Sequence, residues 1–189
     1  SDMTGSWAGA FGQTQFMPST FLELAVDFDG DGRRDLVNSV PDALASTANF
    51  LDKRGYRTGE PWGYEVKLPS GFWGASNRKD KKSISHWRNQ GLTLANGSPL
   101  PSTLGSAGLL LPAGTDGPAF LVGKNFDTFY SYNASENYAL AIAHLSDLIA
   151  REDSSKTDFV TAWPTDDPGI SRQQSKDIQQ ALLNAGYDI

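Results

Sequence analysis

The sequence contains no cysteine and only two histidines in its 189 residues. The lack of cysteine excludes disulfides and thiolate chemistry. The histidines, His86 and His144, have neither the spacing of metal ligands nor a matching serine and aspartate context, so we interpret them as surface or packed side chains. Long hydrophobic runs are missing as well, since no apolar stretch approaches the roughly 20 residues of a membrane-spanning helix.

Positive charge is also scarce. The chain has 16 lysines and arginines against 22 aspartates and glutamates, which gives a net charge of −6. Nucleic-acid binding requires clustered Lys and Arg, so we exclude nucleic acid as a partner. The basic run at residues 79–82 predicts a solvated loop, with contact to an anionic polymer as the alternative. A hydrophobic content of 39% predicts a folded protein of one or two domains.

Helical patterns occupy the two ends of the chain. A short apolar stripe follows Pro18, and a helix is predicted over about 40–54, where Ser39 and Asp42 have the spacing of a capping box. A further helix is predicted over about 134–151, with Asn133 as its N-cap. The last helix is predicted over 171–186, after a linker at residues 152–170.

The middle of the chain has a different texture. Over residues 57–125, short apolar runs are broken by Gly, Pro and Asn, and the runs at 64–68, 108–111 and 119–122 predict strands. The tryptophans of this part are expected to pack against the strands: Trp62, Trp73 and Trp87. The predicted fold class is therefore α+β, with a small β subdomain inserted between helical parts.

An acidic loop follows the first helix. Asp27, Asp29 and Asp31 stand at alternate positions before Gly32, as in the first half of a calcium-binding loop. The Arg33 carbonyl and the Asp35 carboxylate would supply positions 7 and 9. The usual glutamate at position 12 is absent, because Asn38 stands there, and Asp42 either replaces it through a different loop path or only caps its helix. The alternative is an acidic turn without an ion.

A glycine-rich segment at residues 5–20 is the most informative part of the chain. Gly5, Gly9 and Gly12 let the backbone pass close to itself or to a ligand. The Ser6 hydroxyl and the Gln15 amide among them are suited to recognising hydroxyls and N-acetyl amides. The small residues alone favour a tight turn. Tyr132, Asn133 and Tyr138 form a second polar-aromatic cluster, which could bind the same kind of ligand. The alternative is that Asn133 only caps a helix and Tyr138 only packs.

The order of residues in GSWAGAFGQTQFMPS resembles the sugar-cleft motif of lytic murein transglycosylases of the membrane-bound B type, which cleave bacterial cell-wall glycan. The segments DFDGDG, PDALASTANFL, PWGYEV, YNASENYALA and WPTDDPG extend the resemblance over nearly the whole chain. It implies the C-terminal part of a lysozyme-like helical core, with an EF-hand-like loop.

The resemblance also implies the chemistry. One glutamate, in a Glu-Ser context upstream of the GSWAGAFGQTQFMPS motif, serves as acid and then as base, and the product is a 1,6-anhydromuramyl sugar. The glutamates of this chain occupy other contexts: Glu23, Glu60, Glu65, Glu136 and Glu152. No catalytic residue is therefore expected in this sequence, which alone should be inactive.

Within this chain, the resemblance implies that Ser6 and Gln15 orient the glutamate and the N-acetyl group. It implies that Tyr132, Asn133 and Tyr138 hold sugar rings. No cofactor is expected for catalysis, and the calcium ion, with Asp27, Asp29, Asp31, Arg33 and Asp35 as the predicted ligands, would be structural. The expected partners are peptidoglycan strands and the N-terminal part of the same protein.

Five regions are predicted. They are a helical core part with the acidic loop (1–56), the β subdomain (57–125), a return to the core (126–151), the linker (152–170) and the start of a peptidoglycan-binding domain (171–189). The expected location is the periplasm or cell envelope of a bacterium, with an outer-membrane anchor in the full-length protein as one form. A competing hypothesis is a non-catalytic, calcium-stabilised, peptidoglycan-binding fragment.

Overall fold

A computed structural model describes residues 5–150, 159–165 and 169–187. The described residues form helices and strands in the order α1 (Pro18–Leu24), α2 (Val40–Lys53), β1 (Gly63–Lys67), β2 (Asn77–Ser83), α3 (Ile84–Asn89), β3 (Thr93–Leu94), β4 (Ser106–Leu110), β5 (Pro112–Thr115), β6 (Ala119–Val122), α4 (Lys124–Tyr132), α5 (Glu136–Ala150) and α6 (Arg172–Asn184). This mixture of helix and sheet confirms the predicted α+β class. None of these helices is both long and apolar enough to cross a membrane.

Five of the strands form one antiparallel sheet in the order β2-β4-β6-β1-β3. The central strand β6 is buried along its whole length. Because side chains alternate across a strand, its residues divide between two cores. On one face of the sheet, Ala119 and Leu121 pack with Trp87. On the other face, Phe120 and Val122 pack against α4 and α5.

A third core joins the first two helices to the glycine-rich segment. Its buried residues are Phe16, Leu24, Leu36, Ala43 and Phe50, and Tyr132 at the end of α4 packs against them. The aromatic contact between Phe50 and Tyr132 has ring centroids 4.9 Å apart, in an edge-on arrangement. This contact places the end of α4 beside the glycine-rich segment.

The helices with clear capping signals are confirmed. At the start of α2, the Ser39 hydroxyl accepts from the Asp42 backbone N–H, and Pro41 lies in the first turn of the helix. Ser171 and Gln174 form a complete capping box at the start of α6. The strands predicted at 64–68, 108–111 and 119–122 correspond to β1, β4 and β6. Part of the predicted linker lies outside the described residues.

Other predictions are wrong. The basic run at residues 79–82 is not a loop but part of β2, where Lys81 Nζ donates to the Val122 carbonyl at 2.9 Å and forms an ion pair with Asp127. Of the tryptophans, Trp62 and Trp87 are buried as predicted, but Trp73 is 98% exposed.

The cap of α5 is also misassigned. Asn133 does not cap this helix but ends α4, a helix that was not predicted from the sequence. The residue that takes the capping position is Ser135, whose hydroxyl accepts from the Tyr138 backbone N–H at 3.3 Å. The predicted spacing therefore placed the helix start two residues too early.

Candidate functional site

The glycine-rich segment folds into two successive reversals of the backbone. Phe11 pairs with Gly5 on one side and with Phe16 on the other. Gly12, at φ 73°, lies against Leu36, since a Cβ on Gly12 would lie 2.6 Å from the Leu36 carbonyl oxygen. That carbonyl accepts from the Gln13 backbone N–H at 2.8 Å. The close approach explains why a residue without a side chain is required at this position.

Gln15 is held in an unusual backbone conformation. Its φ of 52° makes it the only non-glycine residue with a positive φ in the described ranges. The side-chain Nε2 donates to the Gly12 carbonyl at 2.9 Å, and the residue is exposed. Left-handed backbone at a non-glycine residue costs free energy and is found preferentially at functional sites.

Gln15 lines an open cavity of about 720 Å³. The same cavity contains three of the other predicted sugar-binding residues, Tyr132, Asn133 and Tyr138. The rest of its lining is largely apolar and comes from the glycine-rich segment and three helices: Ala10, Gln13, Thr14, Met17, Leu44, Thr47, Leu51, Phe129, Ala134 and Ile142. A few polar groups over an apolar floor are typical of small-molecule sites.

The two tyrosines of this cavity differ in their surroundings. The half-buried Tyr132 packs against Phe16 and Phe50, and its hydroxyl donates to the Thr14 carbonyl. Burial raises the pKa of the Tyr132 hydroxyl. Tyr138 is 36% exposed at the start of α5, so its ring is accessible from the cavity. Tyr132 therefore connects α4 to the glycine-rich segment, and Tyr138 offers a face to a ligand.

Ser6 lies elsewhere. It lines a second cavity of about 760 Å³, together with Phe11, Phe21, Arg34 and Val37 among others. The Ser6 hydroxyl accepts from the Ala10 backbone N–H at 3.1 Å. In the described chain, Ser6 is thus not brought into the cavity of Gln15.

The acidic loop converges on three carboxylates. Oxygens of Asp27, Asp29 and Asp42 lie within 4.8 Å of one another. Asp27 accepts from the Gly30 and Gly32 N–H groups at 2.8 and 2.9 Å. An all-oxygen donor set of this kind fits a hard cation such as calcium.

The fully buried Asp42 closes the loop from the first turn of α2. Its two carboxylate oxygens accept from the Phe28 and Asp35 N–H groups, each at 2.9 Å. These bonds hold the pKa of Asp42 below its ordinary value, and the bond from the Phe28 N–H contributes most. Asp42 thus takes the place beside Asp27 and Asp29 that the loop spacing alone left open.

The other predicted ligands lie outside this group of three. Asp35 turns its carboxylate to the Val37 and Asn38 N–H groups, both at 2.8 Å, and Asn38 is the main cause of its lowered pKa. Asp31 accepts from the Arg33 N–H at 2.8 Å. The Asp35 side chain therefore shapes the loop through its own turn.

The chain is similar to known lytic transglycosylases in sequence. A family model described as the transglycosylase SLT domain matches residues 1–147. The membrane-bound lytic murein transglycosylase B of Escherichia coli K12 is 37% identical over 154 residues, which are 79% of this chain and 40% of that protein.

Two solved structures are also similar. SltB3 from Pseudomonas aeruginosa, in complex with NAG-NAM-pentapeptide, has a TM-score of 0.85 and 49% identity, and the match covers 98% of this chain and 50% of that one. Escherichia coli Slt35, in complex with calcium, has a TM-score of 0.64 and 36% identity over 78% of this chain and 46% of that one. The chain spans half the length of these relatives or less.

Proposed function

Since the chain belongs to the transglycosylase SLT family, we propose that it forms the glycan-binding part of a peptidoglycan lytic transglycosylase. The observation that carries the proposal is the cavity of about 720 Å³ in which Gln15, Tyr132, Asn133 and Tyr138 meet. The fold in this interpretation is the C-terminal part of a lysozyme-like core with an EF-hand-like loop. The substrate bond is the β-1,4 linkage between N-acetylmuramic acid and N-acetylglucosamine.

Each side chain has a role that its geometry allows. The Tyr138 ring stacks on a sugar face, and the Asn133 amide exchanges hydrogen bonds with hydroxyls or N-acetyl groups. The Gln15 Nε2 donates one of its two hydrogens to the Gly12 carbonyl, and the Gln15 Oε1 accepts from an N-acetyl N–H. The apolar side chains of Leu44 and Ile142 cover the less polar faces of the sugar.

The general acid comes from outside this sequence. Of the four glutamates in the described ranges, none lines the cavity. Glu60 pairs with Arg57, Glu136 pairs with Arg78, and Glu65 accepts from two backbone N–H groups of residues 160 and 161. In the proposed reaction, a glutamate protonates the glycosidic oxygen and then removes the proton of the muramyl 6-hydroxyl. The C1–O4 bond breaks, the C1–O6 bond forms, and the product is a 1,6-anhydro sugar.

Calcium has a structural role in this proposal. Asp27, Asp29 and Asp42 would hold the ion and fix the connection between α1 and α2. The ion takes no part in the reaction. Because the substrate is cell-wall glycan, the proposed location is the bacterial cell envelope, on the periplasmic side.

Two assays test the proposal. The 189-residue chain alone is incubated with purified murein, with the Escherichia coli relative as a positive control, and products are analysed by mass spectrometry. We expect no anhydromuramyl product from this chain, because a missing general acid removes roughly 10²–10⁴-fold of rate or more. Abundant product would overturn the assignment of the acid to another part of the protein.

Binding is measured by titrating the chain with triacetylchitotriose, an N-acetylglucosamine trimer. Tyr138→Ala should weaken binding by about fivefold, since an aromatic stack contributes on the order of 1 kcal/mol. Tyr187→Ala is the control, because Tyr187 is 63% exposed and does not line the cavity. Equal affinity in all three proteins would refute the assignment of the cavity as the glycan site.

A further inference from the structure

We propose that the chain has a second glycan-binding site, built on Trp163. Helix α5 separates it from the cavity of Gln15, Tyr132, Asn133 and Tyr138, which is called the cleft below. The site is a cavity of about 330 Å³, at the lower end of the range for small ligands. Its lining is Pro112, Asn137, Leu140, Ala141, His144, Phe159 and Trp163. The class of ligand rests on the proposed function, since the expected occupant is an N-acetylhexosamine unit of the same polymer.

The segment that carries Trp163 is fixed to the sheet. The Glu65 carboxylate on β1 accepts from the Val160 N–H at 2.8 Å and from the Thr161 N–H at 2.7 Å, one bond for each oxygen. Two bonds from neighbouring N–H groups to one carboxylate hold the backbone in a single orientation. Pro164 packs close to Gly117, where a Cβ would lie 3.1 Å from the proline ring. Residues 159–165 are thus anchored on both sides of Trp163.

Phe159 lines the cavity and connects Trp163 to the core. Its ring centroid lies 4.9 Å from that of Phe120 in the core, 4.2 Å from that of His144 and 6.3 Å from that of Trp163. Trp163 itself remains 42% exposed. A large aromatic face that is held rigidly and left accessible is suited to stacking at low entropic cost.

The polar side chains that line the site, Asn137 and His144, both come from α5. Asn137 is exposed and precedes Tyr138, so the two residues contribute to cavities on different sides of the helix. An amide beside an aromatic face provides a donor and an acceptor for the hydroxyl or N-acetyl groups of a stacked sugar. The same helix therefore serves both sites, with Tyr138 and Ile142 on the cleft side and Asn137, Ala141 and His144 on the other.

The test is a titration of the ¹⁵N-labelled chain with diacetylchitobiose, followed by NMR. We expect saturable shifts of the Trp163 indole N–H and the Asn137 side-chain amide. Trp163→Ala should lower the affinity at this site by about tenfold, and Asn137→Ala by a few-fold with an unchanged melting temperature. Trp73→Ala is the matched control, since Trp73 is 98% exposed and lies outside both cavities, and it should change nothing.

The two sites are distinguished by a cleft variant. In Tyr138→Ala, shifts around Gln15 should weaken whereas the Trp163 shift remains. Shifts confined to the cleft in the unmodified chain would overturn the second site and leave the proposed function intact. Shifts confined to Trp163 would overturn the cleft and leave the second site. The absence of any shift with the sugar would overturn both.

Discussion

The ion-pair cluster around Arg78 on β2 should respond very unequally to the loss of its two carboxylates. Arg78 is 8% exposed and pairs with Asp127 at 3.0 Å and with Glu136 at 3.3 Å. Its guanidinium also lies 3.5 Å from the centre of the Tyr130 ring. Lys81 joins from the same strand, 3.1 Å from the second Asp127 oxygen. One carboxylate thus balances two partly buried cations, and the cluster fastens β2 to α4 and α5.

Asp127→Asn should cost about 3 kcal/mol of the free energy of unfolding, the lower end for breaking a buried pair, because Arg78 keeps only one of its two ion pairs, that with Glu136. Glu136→Gln should cost below about 1 kcal/mol, because the Glu136 side chain is 45% exposed and Asp127 still neutralises Arg78. Urea unfolding of the two variants and the unmodified chain gives these differences. Asp80→Asn is the control, since its pair with Lys82 is exposed on the same strand and its loss should have little effect.

The pH dependence of the free energy of unfolding provides a second test of the Arg78 cluster, through Lys81. Burial lowers the pKa of Lys81 from its ordinary 10.5, and Asp127 opposes that shift. A base with a lowered pKa in the folded state destabilises the fold while it is charged, and the penalty falls as the pH rises toward 10.5. Part of the stability lost in Asp127→Asn should therefore be recovered in alkaline buffer, where Lys81 is neutral. The part that is due to the unpaired Arg78 should persist. Equal costs for the two carboxylate variants would refute this account of the cluster.

Three further predictions concern the cleft and the loop. Gln15→Gly should keep or raise the melting temperature, because glycine tolerates φ 52°. The same variant should weaken triacetylchitotriose binding by about tenfold. Normal binding would show that the Gln15 amide is not part of the site. Calcium at tenfold above Kd should add about 1.4 kcal/mol of stability, measured by melting, and Asp29→Ala should abolish the gain; a gain that survives this variant would place the ion elsewhere. Since the pKa of Asp42 is lowered on folding, its contribution is present above about pH 4 and lost as the pH falls through the folded value. The stability difference between the unmodified chain and Asp42→Asn in chelator should shrink there, and a constant difference would contradict the assigned bonds.

Local signals predicted the parts of the fold whose hydrogen bonds are local. The capping groups of α2 and α6 bond within four residues, so their sequence pattern contains the necessary information. Strand β6 is apolar throughout because both of its faces are buried, and this too is visible in the sequence. The same holds for the carboxylates of Asp27 and Asp29, which stand close together in the loop.

The missed elements depend on contacts between distant residues. Strand β2 has the sequence NRKDKKS, which lacks apolar alternation, and it forms because β4 pairs with it and because Asp127 neutralises its inward-facing cations. The carboxylate that closes the acidic loop, that of Asp42, was hard to predict for a similar reason. Its carboxylate reaches back across the loop to the Phe28 N–H, and the standard loop spacing does not predict that path.

The candidate cleft depends on the same long-range contacts. The Tyr132 hydroxyl donates to the Thr14 carbonyl across 118 residues of sequence, so the glycine-rich segment and the end of α4 are joined directly. Arg78 fixes the other side of this junction, because Tyr130 and Glu136 flank the cleft residues in sequence. The sheet therefore stabilises the cleft without lining it. For this reason, a substitution in the Arg78 cluster should weaken glycan binding only when it also lowers stability, whereas Gln15→Gly should separate the two.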